Sequence, residues 1–286
     1  PMGQKIDTRA IGLDVGVSFM KWLTGAENLH YGLWDGLEPS AQNLGAAQVA
    51  YTDKLFGYLP EGSLKILDIG GGAGETAKKL LALGHTVEIV VPSEFLAGRC
   101  KVNAPKAEIH CATFEDYGGT GPFDLCLFSE SFQYIPYDIA LTKAAQLVRP
   151  GGTVLIADCF RSENYQGVKR SQTVGGGHKL SLVREALADG PLELIAEENL
   201  TEGVAPSIDV EQGLFNVIGH GVSRVDAALC AEKPRTRWLL NRVLRLMMSE
   251  RRRYRLMQRL TEQRRTAEAF CHNNRYMILS LRKGGI

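Results

Sequence analysis

An acidic residue and three alternating glycines occupy residues 68–74 as D-x-G-x-G-x-G, the stretch of this 286-residue sequence with the clearest chemical meaning. It directly follows an apolar run at residues 64–69 that has the length and composition of a buried parallel strand. Helical spacing follows over residues 75–83, so the glycines lie in a strand-to-helix turn. Such a turn brings the backbone close to a ligand beneath the unpaired N–H groups of the helix. The stretch therefore predicts a nucleotide-binding site.

A carboxylate and a phenol, Glu130 and Tyr134, follow a second apolar run at residues 123–128. In open α/β sheets ligands collect beyond the carboxyl ends of the strands, so both side chains are predicted to face a substrate. Glu130 could hold an amine or hydroxyl or offset a developing positive charge, and Tyr134 could orient a nucleophile. A carboxylate at this position could also be only a helix cap.

The D-x-G-x-G-x-G pattern resembles the first motif of class I S-adenosylmethionine-dependent methyltransferases, in which the acid ends the first strand. It differs from the dinucleotide fingerprint G-x-G-x-x-G, whose last spacing is one residue longer. Residues 30–34, H-Y-G-L-W, are similar to a segment of tocopherol methyltransferases and cyclopropane fatty acid synthases. Residues 130–136 are similar to a sterol and tocopherol methyltransferase pattern that has histidine where this chain has Tyr134. The P-G-G turn at residues 150–152 matches the class as a whole.

The resemblance implies an α/β fold with a doubly wound, Rossmann-like sheet of seven strands, and S-adenosylmethionine as the cofactor. It implies catalytic roles for Glu130 and Tyr134. An aromatic face such as that of Tyr31 or Trp34 can stabilise a sulfonium cation, although both could simply pack a helix-to-loop corner. The residues that the resemblance assigns to the cofactor are Tyr31, Asp68, Gly70, Gly71, Gly72, Gly74, Ser93, Thr113, Phe114, Glu115 and Ser129.

The second predicted strand, residues 86–91, departs from the family pattern. An acid that holds the two ribose hydroxyls is expected at its end, but the chain has Val91. Loss of a charged hydrogen bond of roughly 1.5–3 kcal/mol weakens binding about 10- to 100-fold, unless Ser93 or Glu94 compensates. The departure also fits an unusual adenosyl cofactor or an inactive relative.

The resemblance divides the chain into four parts. Residues 1–60 are predicted to form an N-terminal helical cap, and residues 61–205 the cofactor-binding core. Residues 206–270 are predicted to be a helical lid for substrate recognition, inserted before the last strand of the core at residues 271–286. His178, in a polar loop predicted over residues 161–179, is either an exposed loop histidine or a general base.

Composition and cysteine usage set further limits. No run of 18 apolar residues and no basic-then-apolar start occurs, so the sequence predicts neither a membrane span nor secretion, and a cytoplasmic location is expected. The six cysteines include no C-x-x-C pair, which indicates reduced thiols and no metal site.

Charge is distributed unevenly although the net charge is only +1. Residues 235–265 contain eleven arginines against two glutamates, a local charge of +9. This segment could be a core-facing helix with a solvated basic side, a membrane-surface helix, or a dock for an anionic substrate or a carrier protein. Nucleic acid is not expected, because no known binding motif accompanies the charge. The oligomeric state is not determined by the sequence.

Together these features predict methyl transfer from S-adenosylmethionine to an O, N, S or C atom of a small metabolite, lipophilic or anionic. One alternative keeps the fold but uses the sulfonium for a cyclase or lyase reaction. The other is a catalytically silent protein that keeps the scaffold for binding or regulation.

Overall fold

The computed structural model describes residues 8–167, 174–261 and 265–285. The predicted cap, loop and lid therefore each include residues outside this range, namely 1–7, 168–173 and 262–264. The described helices are α1 (Thr8–Thr24), α2 (Leu44–Phe56), α3 (Glu75–Ala82), α4 (Glu94–Asn103), α5 (Tyr137–Leu147), α6 (Leu180–Ala188), α7 (Thr201–Val204), α8 (Pro206–Glu232), α9 (Pro234–Met247), α10 (Glu250–Thr261) and α11 (Ala267–Asn273). The strands are β1 (Lys65–Ile69), β2 (Thr86–Val91), β3 (Glu108–Cys111), β4 (Phe123–Ser129), β5 (Val148–Arg161), β6 (Leu192–Asn199) and β7 (Asn274–Lys283).

The seven strands form one sheet in the order β3-β2-β1-β4-β5-β7-β6. Strands β1 to β5 pair in parallel, and β7 runs antiparallel to both of its neighbours. The strand order reverses between β1 and β4, and open α/β sheets bind ligands at such a switch point, beyond the carboxyl ends of the strands. The predicted doubly wound sheet of seven strands is confirmed.

Apolar side chains cover both faces of the central strands. On β1, Ile66 packs into a cluster with residues of α2, α3 and α4, whereas Leu67 packs into a second cluster with residues of α5 and α6. Both side chains are fully buried. Burial on both faces explains why the strand reads as a continuous apolar run, since each such side chain contributes about 1.5–3 kcal/mol.

A buried ion pair joins the N-terminal helix to the core. Glu27, just after α1, is 2% exposed and accepts hydrogen bonds from Arg99 Nε at 2.8 Å, Asn103 Nδ2 at 2.8 Å and Lys21 Nζ at 2.9 Å. The Arg99 guanidinium is the main reason why the pKa of Glu27 falls to about 2. This carboxylate therefore anchors the segment that leads to Tyr31.

Helices α8, α9 and α10 lie in the chain between β6 and β7. Helix α8 packs on α9, α10 and α11. Gly219 permits the closest approach to α10, because a Cβ there would lie 1.9 Å from the carbonyl oxygen of Leu260. The assignment of these helices to a substrate lid stays a prediction.

All six cysteines are free thiols. No helix of the described ranges combines the length and apolar character needed to cross a membrane. The expected cytoplasmic location stays a prediction.

Candidate active site

A cavity of about 1390 Å³ opens at the carboxyl ends of β1, β2 and β4. Residues of α1, α8 and α10 complete its wall. Its volume exceeds the roughly 300–1,000 Å³ of a typical ligand pocket, so it has room for a nucleotide and a second molecule. Eleven of the thirteen predicted site residues line it: Asp68, Gly70, Gly71, Gly72, Ser93, Thr113, Phe114, Glu115, Ser129, Glu130 and Tyr134.

Two glycines show why the turn after β1 needs this residue type. Gly70 has φ +74°, and a Cβ there would lie 2.3 Å from the Cβ of Ser131. Gly72 has φ +55°, and no atom lies within 4 Å of the place where its Cβ would be. The first glycine therefore permits close packing of the turn on the segment after β4. The second leaves bare backbone beside the cavity.

Asp68 is a buried carboxyl group without a partner at one oxygen. It ends β1 with 1% of its surface exposed, and its Oδ2 has no hydrogen-bond partner among the described residues. Burial raises its pKa to about 7. An orphaned buried acceptor is unfavourable by itself, and a donor or cation on a ligand would satisfy it.

Glu130 has a strained backbone conformation. Its φ is +57°, and among the described residues no other non-glycine residue has a positive φ. The residue is held there by its N–H, which donates to the carbonyl of Ala157 at 2.8 Å. Such strain costs on the order of 1–3 kcal/mol and is concentrated at functional sites.

Two donors orient the Glu130 side chain within the cavity. Oε1 accepts the main-chain N–H of Tyr31 at 2.8 Å and the hydroxyl of Tyr276 at 2.9 Å. The Tyr276 hydroxyl also lies 2.8 Å from that of Tyr51, which lies 3.1 Å from Ser129 Oγ. With one proton on each hydroxyl, the hydrogen bonds run from Ser129 through the two tyrosines to Glu130. The carboxyl group is thus held directly by two separate parts of the chain, and Tyr51 of α2 supports the second of them.

Burial and a second acid change the ionisation of Glu130. Burial is the main cause that raises its pKa to about 8, and Asp158 adds to the effect. Asp158 is itself fully buried, and burial raises its pKa to about 7. The ligand-free site therefore favours neutral carboxyl groups, whereas a cation in the cavity would favour the ionised forms.

The end of β2 confirms that no acid stands at the expected ribose position. Val91 is buried, and Ser93 caps α4 because its Oγ accepts the N–H of Leu96 at 3.4 Å. Glu94 is exposed, lies in the first turn of α4 and lines the cavity. Ser93 keeps its O–H for donation, and Glu94 offers a carboxylate beside it. Contact of either residue with a ribose stays a prediction.

The loop after β3 presents an apolar wall. Phe114 is buried and meets Phe128 edge to face with ring centroids 5.6 Å apart. Thr113 Oγ1 donates to Asp116 at 2.9 Å, and the Glu115 carbonyl accepts from a lysine at 2.8 Å. The Thr113 and Glu115 bonds shape the loop, and Phe114 lines the cavity. Contact of these residues with a cofactor stays a prediction.

Tyr31 and Gly74 are the two predicted residues outside the cavity lining. The Tyr31 ring meets Phe270 edge to face at 6.0 Å, and its main chain holds Glu130. A Cβ on Gly74 would lie 3.0 Å from the Cα of Cys100, so this glycine allows the close approach of α4. Their contact with a cofactor stays a prediction. Trp34 is buried and donates its Nε1–H to Ser207 at 2.8 Å, a packing role.

Tyr134 lies at the cavity, on a 3₁₀ turn that His178 supports. Tyr134 ends the turn Phe132–Tyr134 and is 73% exposed. His178 is half-buried, and its Nε2 lies 2.7 Å from the carbonyl oxygen of Ile135. Because a carbonyl only accepts, Nε2 carries a proton, so His178 does not act as a base through this atom. The expectation of an exposed loop histidine is wrong.

Three groups at this site were not predicted from the sequence. Tyr51 and Tyr276 lie 225 positions apart, and no local pattern connects them. His30, within the H-Y-G-L-W segment, lines the cavity; its Nδ1 lies 2.8 Å from the Tyr31 carbonyl, and its buried Nε2 has no partner among the described residues. Burial lowers the His30 pKa to about 4, so the ring is a neutral acceptor at pH 7.

Three potential metal ligands, Glu88, Glu108 and His110, lie within 4.8 Å of one another away from the cavity lining. Lys65 pairs with the Glu88 carboxylate at 3.0 Å. The trio is therefore explained as part of a surface ion-pair network.

Comparison with known sequences supports the motif assignment. Residues 66–152 match a family described as a methyltransferase domain. The ubiquinone biosynthesis O-methyltransferase of Bradyrhizobium diazoefficiens is 29% identical over 106 residues, which are 35% of this chain and 42% of that protein. The chain thus matches only about two fifths of the length of this curated relative.

Solved structures resemble nearly the whole chain. The [4+2]-cyclase SpnF has a TM-score of 0.69 at 15% identity, covering 100% of this chain and 98% of that one. Geranyl diphosphate C-methyltransferase from Streptomyces coelicolor A3(2), solved with Mg²⁺, geranyl diphosphate and S-adenosyl-L-homocysteine, has a TM-score of 0.64 at 13% identity and covers 98% and 100%. At these identities the likeness shows the fold alone. The chain therefore has the fold that its motifs predict, and its residues 66–152 match a methyltransferase domain.

Proposed function

We propose that this protein transfers a methyl group from S-adenosylmethionine to an oxygen, nitrogen, sulfur or carbon atom of a small molecule. The observation that carries the proposal is Glu130, a carboxyl group in a strained conformation that lines the same cavity as the glycine turn. The methyltransferase-domain match, which begins in β1 and ends in β5, supports it.

The glycine-turn side of the cavity fits S-adenosylmethionine. The unpartnered Asp68 Oδ2 suits the ammonium group of the cofactor, and bare backbone at Gly72 allows close approach. Phe114 offers an apolar surface to the adenine, and Glu94 a carboxylate to the ribose hydroxyls. When bound, the cofactor supplies a methyl group activated on a sulfonium sulfur.

Glu130 accepts the proton that the substrate nucleophile loses. The N–H of Tyr31 and the hydroxyl of Tyr276 fix its orientation, which reduces the entropy lost on reaching the reactive geometry. A pKa of about 8 makes the ionised group a stronger base than an exposed glutamate. Positive charge in the cavity favours that ionised form. Tyr134 orients the substrate at the mouth of the cavity.

The substrate meets the wall formed by the helices before β7, which we assign to a lid. Glu211 and Arg259 line this wall. The Glu211 carboxylate accepts hydrogen bonds from Arg259 and, at 3.2 Å, from Arg265. Two guanidinium groups share one carboxylate, so this cluster of three side chains has a net positive charge. This arrangement favours a small molecule with an anionic group beside an apolar part.

The test is incubation of the purified protein with methyl-labelled S-adenosylmethionine and a panel of small anionic and lipophilic metabolites. Mass spectrometry should detect S-adenosylhomocysteine and a labelled product. Methylthioadenosine instead would favour a cyclase or lyase. Calorimetry that detects no binding of S-adenosylmethionine or S-adenosylhomocysteine would favour a silent scaffold.

We expect Tyr276→Phe to move the pH profile of kcat/KM toward alkaline pH by about 1–2 units, because Glu130 loses a hydrogen bond that favours its ionised form. Initial rates measured across the pH range check this. Tyr137→Phe is the matched control, since the Tyr137 ring contacts His178. An unshifted profile in Tyr276→Phe would remove the hydroxyl from the mechanism.

We expect Glu94→Gln to weaken S-adenosylmethionine binding by about 10- to 100-fold, because a charged hydrogen bond to the ribose is lost. Calorimetric titration measures the change. Glu61→Gln, at an exposed site outside the cavity lining, serves as the control. Equal affinity in both variants would mean that no carboxylate replaces the missing acid.

A further inference from the structure

Helix α9 has an apolar face that the described chain leaves uncovered. None of its residues is buried. The face consists of Leu239, Leu240, Val243, Leu244, Leu246 and Met247, which are between 41 and 82% exposed. Isolated exposed apolar residues are ordinary, but a contiguous set of this size marks an interaction surface.

The opposite side of α9 carries all four of its arginines. At 100° per residue, Arg235, Arg237, Arg242 and Arg245 fall on the arc that the apolar side chains leave free, and the helix contains no acid. Trp238 falls within the basic arc, between Arg245 and Arg242, with the guanidinium of Arg242 5.3 Å from its ring centroid. A basic face opposite an apolar face is typical of helices that lie in a membrane interface.

The neighbouring helices α8 and α10 add further exposed apolar residues and further arginines. Val217 and Val225 on α8 are 72% and 60% exposed, and the sequence of α10 contains five arginines and one glutamate. Asp226 on α8 pairs with Arg237 at 2.7 Å. Helix α9 itself contains no acid that could pair with its other three arginines. The surface therefore combines apolar area with a large excess of positive charge.

We propose that helix α9 docks this protein on an anionic phospholipid surface, with its apolar face inserted among the acyl chains and its arginines at the headgroups. The positive charge of this surface favours an anionic bilayer over a second copy of the chain as its partner. A symmetric dimer through this face would bring two excesses of positive charge together, whereas an anionic bilayer neutralises them, with roughly 1 kcal/mol for each arginine near the surface. The proposal is independent of methyl transfer.

Vesicle co-sedimentation of the full chain, without cofactor or substrate, tests the proposal. We expect binding to phosphatidylcholine vesicles that contain one quarter phosphatidylglycerol, and at least about tenfold weaker binding to phosphatidylcholine alone. Raising NaCl from about 0.1 M to about 1 M should weaken the binding, because salt screens the headgroup contacts.

Two variants separate the apolar and the basic contributions. Leu246→Glu with Met247→Glu should abolish vesicle binding, and Arg242→Gln with Arg245→Gln should weaken it and reduce its salt dependence. Leu182→Glu, at an exposed apolar site on α6, should bind like the wild type. Circular dichroism and thermal melting establish that each variant is folded.

Several outcomes would overturn the proposal. These are wild-type protein that stays in the supernatant with anionic vesicles, equal binding to both vesicle types, and binding that survives the two glutamates. A dimer by light scattering that the two glutamates convert to a monomer, together with absent vesicle binding, would assign the face to a second copy. Absent vesicle binding together with capture of a purified acidic acyl carrier protein would assign it to that partner.

Discussion

Glu130→Gln is expected to lower kcat by about 10²- to 10⁴-fold and to leave the affinity for S-adenosylmethionine nearly unchanged. The amide keeps an oxygen for the N–H of Tyr31 and the hydroxyl of Tyr276, so the geometry of the site is retained. It cannot accept a proton at pH 7, however, and the base is lost. Single-turnover kinetics with calorimetric titration separate the two effects.

The pH dependence provides an independent readout of the same substitution. Because the pKa of Glu130 is raised to about 8, kcat/KM of the wild type should rise with pH until the group is ionised in the free enzyme. The residual activity of Glu130→Gln should lack this rise. Glu193→Gln, an exposed site on β6, should keep the wild-type profile. Unchanged turnover in Glu130→Gln would exclude this residue as the base.

Asp68→Asn is expected to have opposite effects on binding and stability. Binding of S-adenosylmethionine should weaken by about 10- to 100-fold, because the cofactor loses a charged partner. The free energy of unfolding of the ligand-free protein should rise by about 1–2 kcal/mol at neutral pH, because a buried ionisable group without a partner at Oδ2 is removed. Calorimetry and urea denaturation measure the two quantities.

The sign of the stability effect follows from proton uptake. The raised pKa of about 7 means that folded Asp68 keeps a proton which the unfolded chain loses above its ordinary value of 3.8. The stability of the wild type therefore falls as the pH rises between these values. The gain from Asp68→Asn should consequently be larger at about pH 7.5 than at about pH 5. A variant that is less stable than the wild type at both pH values would show that the carboxyl group is structural.

Local sequence patterns were sufficient to predict the strand, turn and helix that form one side of the site. The glycine turn, the apolar run before it and the helix after it were predictable because each depends on contacts only a few residues apart in sequence. The absence of an acid at Val91 was equally visible, since the end of β2 could be located from its apolar residues. The seven-stranded sheet followed from the resemblance that these motifs carry.

The tertiary structure decided which side chains act on Glu130. Tyr51 comes from α2 and Tyr276 from β7, and only the pairing of β7 with β5 brings them together beside β4. The same long-range packing placed His178 under the turn of Tyr134, so that an expected loop histidine became a hydrogen-bond donor. Such contacts leave no spacing in the sequence from which they could be predicted.

Helix α9, at the surface, shows the same division between what its sequence determines and what the tertiary structure decides. Its sequence established that one side is apolar and the other basic, because periodicity depends only on the helix itself. Whether the apolar side is covered depends on elements distant in the chain, so the sequence favoured a core-facing helix and left a docking helix as the alternative. The structure leaves every residue of α9 unburied, since the neighbouring helices reach it only along part of its surface.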